Sequence, residues 1–360
     1  MAAITSTITG FPTPDPVIVP LPNMQSINSP SLIDLSMFDL ENGWGVTETS
    51  LVRTLDGGLT WYDITPPGVS SLGYSASIFF LDPDTGWVVI AGPDFLNGTL
   101  MVTTDGGLNW SSVAVPFAGG QIDFIDHRTG FILVGRGAAA GSSAVDVYSS
   151  TDGGVSWEPV YIMQPGIGDD VNTLPFSGQK SGFSFLDSLH GWVGGSIPMD
   201  GNVYFYTSLD GGYTWVKQHI NLPGGYETAM TEVETAQFFS VVDGLLPVRL
   251  FVENSGYVFF VTHDSGITWI STTPLISNGQ YSLASINDIF VWDGGADIYV
   301  THDSGLTWNQ ITTNINVTEK LMKIEFVDSE TGWMLTGDAT THHTLYKTLD
   351  GGSTWNILIP

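Results

Sequence analysis

Thirty-seven acidic side chains stand against nine basic ones, with seven histidines and no cysteine, so the chemistry open to this chain is chiefly carboxylate chemistry. Two facing carboxylates could cleave a glycosidic bond, one as acid and the other as base or nucleophile. Thiolate nucleophiles, thiolate metal ligands and disulfides are excluded. Histidine offers little more. His263 and His302 occupy equivalent points of a repeat, which marks common ancestry and not a ligand cluster. Asp338, His342 and His343 share one loop that could hold a cation, although a solvated loop is the simpler reading. Asp82–Gly86 lacks the spaced oxygen ligands of a calcium loop. No metal and no cofactor are expected.

The most conspicuous carboxylates are structural. The octet Thr348-Leu349-Asp350-Gly351-Gly352-Ser353-Thr354-Trp355 occurs seven times, with aspartates at Asp56, Asp105, Asp152, Asp210, Asp264, Asp303 and Asp350. Its closing tryptophans are Trp61, Trp110, Trp157, Trp215, Trp269, Trp308 and Trp355. The aspartates are 49, 47, 58, 54, 39 and 47 residues apart, the spacing of a propeller or solenoid unit. A short β run precedes each copy and another follows, so the octet is a hairpin turn. Asp then Gly-Gly or Ser-Gly supplies a carboxylate for backbone N–H groups and positions that tolerate positive φ. The tryptophan adds an apolar anchor with one N–H to satisfy. These aspartates are read as turn locks, not as catalysts.

A second signature alternates with the first. Asp39 to Trp44 recurs as Asp82–Trp87, Asp126–Phe131, Asp187–Trp192 and Asp328–Trp333, flanked by apolar β runs. It predicts another hairpin, with Asp opening the turn and Gly placed for positive φ. The fifth copy is degenerate, with Ser240 and Leu245, and the sixth reads as shortened to Asn287-Asp288. Each repeat therefore has four antiparallel strands, A to D. The fold class that follows is all-β, a seven-bladed β-propeller with the octet between the third and fourth strands. The expected domains are a proline-rich leader over 1–30 and one propeller over 31–360. No strand exchange between the ends is evident, and the sequence leaves open how the ring closes, packing of the first blade on the last being one way. Val17–Val19 could add an outer strand.

The octet resembles the Asp-box, or BNR repeat, of sialidases and related propellers, in which it lies at the blade periphery and is silent on activity. Asn109 departs from the usual Thr or Ser. Phe-x-Asp-x-x-x-Gly-Trp followed by Thr-x-Asp-Gly-Gly-x-Thr-Trp is similar to the photosystem II assembly and stability factor family and its bacterial relatives, across about 330 residues. That resemblance implies a propeller exported from the cytoplasm that binds proteins and does not catalyse. Photosynthetic members carry an arginine-rich patch, whereas this chain has only Arg53, Arg128, Arg136 and Arg249, in different blades. The fold and the binding role carry over, and the photosystem partner does not. Sialidases need three arginines and a Phe-Arg-Ile-Pro stretch that is absent here. Xyloglucan-cleaving endoglucanases need two propellers, and this chain has length for one.

Function is expected on the face formed by the D–A and B–C loops, which can vary while the blades stay fixed. Two insertions, Tyr161–Ser181 and Asn221–Thr235, enter adjacent blades. They bring Asp169, Asp170 and Lys180, and then Tyr226, Glu227, Glu232 and Glu234. Tyr74, Phe117 and Tyr281 belong to other loops of that face. Acids beside aromatics suit a basic protein partner or a glycan. A formal net charge of −28 disfavours nucleic acid and anionic membrane. No apolar run could span a bilayer, and the start of the sequence is not an intact signal peptide. The reading is a non-catalytic, extracytoplasmic binding scaffold, expected to be monomeric, with a carbohydrate-active propeller (a sialidase-like or other glycoside hydrolase, or a glycan binder) as the alternative.

Overall fold

The computed structural model describes residues 24–72, 76–139, 141–164, 172–253, 255–318, 320–337 and 343–359. Among them there is no helix. The strands run as successive antiparallel four-stranded meanders, each ordered as in the sequence. Their innermost strands are Asp34–Met37, Ser77–Phe80, Gln121–Phe124, Gln179–Phe185, Met230–Val233 with Gln237–Phe238, Gln280–Leu283 and Leu321–Phe326. Innermost strands of several neighbouring meanders approach one another, including the last on the first. A short outer strand, Ser26–Ile27, pairs with Trp61–Asp63 of the first meander. Val17–Val19 lies outside the described residues.

The octets lock their turns as predicted. In every copy the leading hydroxyl donates to the aspartate Oδ1 at 2.7–2.9 Å. That same oxygen accepts the backbone N–H four residues beyond the aspartate, at 2.8–2.9 Å. Asn109 replaces the usual hydroxyl without loss, because its Nδ2 donates to Asp105 Oδ2 at 2.7 Å. The two residues after each aspartate have positive φ, such as 70° and 95° at Gly57 and Gly58. Ser265 and Ser304 adopt it despite a side chain, at 63° and 61°. Their hydroxyls offset the strain by bonding Val241 O and Asn287 Oδ1.

Burial alone would raise these carboxyls, but the hydrogen bonds outweigh it and lower the pKa of Asp105, Asp152, Asp210, Asp264, Asp303 and Asp350. Asp303 is the strongest case: the Thr307 hydroxyl, then the Thr307 N–H and the Thr301 hydroxyl, lower its pKa to about 2. A carboxylate depressed in the folded state contributes stability above its unfolded pKa of about 4, and that contribution disappears as pH falls toward 2. Acid unfolding followed by circular dichroism should therefore be less steep between these values in Asp303→Asn than in the wild type. Equal slopes would show that the lock is energetically idle.

The second signature forms its hairpins, but its glycines act differently from the expectation. Gly43, Gly86, Gly130, Gly191 and Gly332 are absent from the positive-φ residues. Each instead stands opposite the last residue of the innermost strand, as Phe124↔Gly130 and Phe185↔Gly191. A Cβ there would come within 2.4 Å of the Phe124 ring at Gly130 and 2.5 Å of Phe185 at Gly191. Glycine is required because the ring lies on its backbone. The sixth copy is also not shortened. Ser285 opens it and Phe290 closes it at the usual spacing, with Ser285 Oγ and Asp288 bonded reciprocally. Ser240 and Asp243 repeat that arrangement in the fifth copy. Each of these turns then fixes the histidine of its own octet, Asp243 with His263 and Asp288 with His302, both at 2.7 Å.

The two hairpin types meet on one side of the molecule. The N–H just after every octet aspartate donates to a carbonyl of the A–B turn of the same meander, as Gly57 to Glu41 and Gly351 to Glu330. The core lies between meanders. Each buried cluster draws on two consecutive meanders, such as Phe131 and Val147 with Phe183 and Phe185. Leu35 and Trp61 join Trp333 and Leu345 in the same way, so packing closes the ring. Trp333 Nε1 donates to Gly57 O at 2.8 Å across this closure. No strand is exchanged among the described residues.

Candidate functional site: the central channel

The innermost strands offer one edge to a central channel, and an unpaired edge needs hydrogen-bond partners. The residue three places before the A–B turn supplies one in three of the meanders. In chain order that residue is Ser36, Phe79, Asp123, Ser184, Gln237, Ser282 and Glu325. Ser282 Oγ accepts the N–H of Phe326 at 2.8 Å, and Glu325 Oε1 accepts that of Met37 at 2.9 Å. Asp123 Oδ2 accepts the N–H of Phe185. A side chain of one meander thus satisfies the edge of the next.

The channel widens into two lobes. The larger, about 620 Å³, is walled by Asp123, Phe124, Ser184, Thr235, Gln237, Phe239 and Tyr281, among others. Ser240 and Val241 also line it, so it reaches the side of the molecule that carries the turns. The smaller lobe, about 370 Å³, shares Gln237, Phe239, Tyr281 and Leu283 and adds Lys323 and Glu325. Burial raises the Asp123 carboxyl to about 7, against the single N–H bond from Phe185. Burial also raises Glu325, partly countered by Lys323, which lies 3.5 Å away.

The residues singled out in the two insertions lie elsewhere and are largely committed to structure. Tyr74, Asp169 and Asp170 lie outside the described residues. Lys180 is buried, and its ammonium donates to the carbonyls of Ser143, Phe176, Ser177 and Gly178 at 2.7–3.3 Å. Tyr226 packs against the core between the fourth and fifth meanders. The Glu227 carboxylate accepts the N–H of Gly225 within its own turn. Glu232 lies in the strand that bridges those two meanders, opposite Ser196. Phe117 is buried in the core.

Glu234 and Tyr281 do come together. Tyr281 donates to Glu234 Oε2 at 2.7 Å, and Arg249 Nε lies 3.5 Å from Oε1. The Arg249 guanidinium also bonds Tyr257 and lies over its ring, and Tyr257 donates to Gly279 O. Desolvation raises the Glu234 carboxyl, and Tyr281 is raised well above its usual value by burial and by that carboxylate. Gly182 and Gly194 make room for the junction, since a Cβ on either would strike the 233–234 backbone at about 2.4–2.5 Å. This is a closed polar knot and not an open site.

The arginines do not form a patch. Arg53 pairs with Asp84, Arg136 with Asp146 and Arg249 with Glu234. Of the proposed metal loop only His343 is described, with Ser31 Oγ 3.4 Å from its Nδ1.

With this geometry the chain matches known structures. One is YCF48 bound to D1 peptide, 18% identical over 91% of this chain and 96% of that one, with a TM-score of 0.54. Another is YCF48 from Cyanidioschyzon merolae, 19% identical over 92% and 97%, TM-score 0.52. A third is an ulvan lyase of polysaccharide lyase family PL25, 12% identical over 92% and 95%, TM-score 0.56. The chain is a β-propeller. At such identities the likeness is one of fold, which hosts both binding proteins and enzymes. No protein-family model and no curated protein matches it.

Sequence reasoning missed the channel layer. The signal was present: Asp123 sits in Ile122-Asp123-Phe124-Ile125, an acid inside an apolar run next to a turn. Its equivalents become visible once each copy is counted back from its turn residue.

Proposed function

We propose that this protein is a seven-bladed, non-catalytic, extracytoplasmic propeller that serves as a protein-binding scaffold. The observation that carries this reading is the disposition of the channel carboxylates. A glycoside hydrolase needs an acid and a base or nucleophile flanking one cleft. Here Asp123 is the one carboxylate lining the larger lobe among the described residues. Beside the smaller lobe Glu325 and Asp34 are both engaged by Lys323, at 3.5 and 2.7 Å, with Glu325 also accepting the Met37 N–H, so neither is free to act as acid or base. The turn side of the molecule exposes a large apolar side chain at the same octet position in most meanders, Leu59, Leu108, Val155, Tyr213, Ile267 and Leu306, and Val241 adds another at the rim of the larger lobe. Val241 and Ile267 are 76% and 74% exposed. Exposed apolar side chains repeated along one side of an acidic molecule support a protein partner. The YCF48 structure with a bound peptide offers a precedent on the same fold.

Crosslinking capture from the native cell envelope tests the reading, comparing wild type with Val241→Glu/Ile267→Glu. A protein captured by the wild type and lost from the folded double variant is the expected result. Release of reducing ends or unsaturated sugars from a polysaccharide panel, with no protein captured, would move the assignment to the carbohydrate-active alternative.

A further inference from the structure

The channel layer contains one carboxyl group that the fold does not require. Accepting an N–H from the next meander needs no carboxylate, since Ser282 does it with a hydroxyl. Where a carboxylate does the same work at Glu325, a lysine two residues earlier balances it: Lys323 lies 3.5 Å from Glu325 Oε2. At the equivalent place before Asp123 stands Gln121, whose amide instead donates to Lys180 O at 3.3 Å. Asp123 has the Phe185 N–H and no cation. No basic side chain lines its lobe among the described residues.

An uncompensated carboxylate on a half-buried wall costs stability, and a neutral residue would avoid that cost. Two further polar groups share the wall. Ser184 is 7% exposed, and its hydroxyl has no hydrogen-bond partner. Gln237 is exposed between the two lobes. Phe239 and Tyr281 complete the wall with aromatic surface. A carboxylate, neutral polar groups and aromatic rings around about 620 Å³ match a cation on an aliphatic stem.

We propose that the larger lobe of the channel is a receptor for a guanidinium or ammonium group, with Asp123 as its counter-charge. The group is the arginine or lysine side chain of a polypeptide partner, which rests on the scaffold reading. Asp123 Oδ1 is the acceptor left for it, since Oδ2 holds the Phe185 N–H.

Isothermal titration calorimetry of the full chain at pH 8 tests this, with Nα-acetyl-arginine amide as probe and Nα-acetyl-citrulline amide as its uncharged counterpart. The arginine probe should bind and the citrulline probe should be weaker by about tenfold or more, as for loss of a charge-assisted hydrogen bond. Asp123→Ser keeps an acceptor for Phe185, as Ser282 does for Phe326, and Asp123→Asn keeps the shape. Both should fold with an unchanged or raised Tm and lose the preference for the charged probe. Absence of binding to wild type, equal binding of the two probes, or full binding by the folded variants would overturn the proposal. Agmatine in a parallel titration separates the sources, because agmatine binding more tightly than the blocked arginine would overturn the polypeptide origin. These outcomes leave the scaffold reading to its own capture experiment, which does not depend on Asp123.

Discussion

Lys323→Met is expected to destabilise the protein by about 2–3 kcal/mol, and adding Glu325→Gln should recover most of that loss. Lys323 stands on the channel wall where the last meander meets the first. Its ammonium lies 2.7 Å from Asp34 Oδ1, 3.5 Å from Glu325 Oε2, and bonds Leu35 O. Burial lowers its pKa, but Glu325 and Asp34 more than offset this, so the net shift is upward and the ammonium stays charged. Removing it leaves the Glu325 carboxylate with only the Met37 N–H. Breaking a fully buried pair costs roughly 3–5 kcal/mol, and a side chain one-third exposed to the channel should lose less. The double variant removes the stranded charge while keeping an acceptor for Met37, so its recovery isolates the electrostatic part. Urea unfolding of the four members of the cycle measures this. Additive losses would show that the cluster contributes packing only, and that closure rests on Trp333 with Leu35 and Leu345.

Which features were legible in the sequence follows from the range of the interactions that make them. Every hydrogen bond of the octet's own lock, such as Thr354 with Asp350, spans at most four residues. Seven copies therefore displayed the complete lock. The A–B glycine was placed correctly and explained wrongly. Its partner, Phe124 for Gly130, is adjacent only once the hairpin register is known. How the ring closes was not legible, because the cluster that joins Leu35 to Trp333 brings together the two ends of the repeat array. The site was less visible. Long insertions attract attention as places where variation is tolerated, yet Lys180 and Glu234 are absorbed by the contacts that hold such insertions in place. Asp123 differs from Glu325 mainly through Gln121 standing where Lys323 stands. That contrast has meaning only after pairing shows that the two positions correspond.

Lys180→Met carries the other large effect, and its expected signature is local. The ammonium is held by four carbonyls, those of Ser143, Phe176, Ser177 and Gly178, and lies 5.2 Å from the centroid of the Tyr204 ring. Ser143 belongs to the long hairpin of the third meander, and the other three carbonyls precede the innermost strand of the fourth. One cation thus gathers backbone from two neighbouring meanders, where Gly178 also pairs with Ser142 and exchanges hydrogen bonds with Gly141 and Ser143. Methionine fills much of the volume but donates nothing, so carbonyls turned toward the ammonium lose their partner. A buried group left unsatisfied costs about 1–3 kcal/mol, and several share this donor, so a loss near 3 kcal/mol is expected. Hydrogen exchange should show it first at Ser143, Gly178 and Lys180, whose N–H groups lie in that junction. The octet N–H groups at Gly212 and Thr214, bonded within their own turn, should keep their protection. Lys180→Arg retains the charge, but its planar fork cannot aim at carbonyls from several directions as an ammonium does. It should therefore rescue only part of the loss. Uniform loss of protection across the chain would instead make Lys180 a global stability element, and full rescue by arginine would show that charge, not the carbonyl cage, is what the position requires.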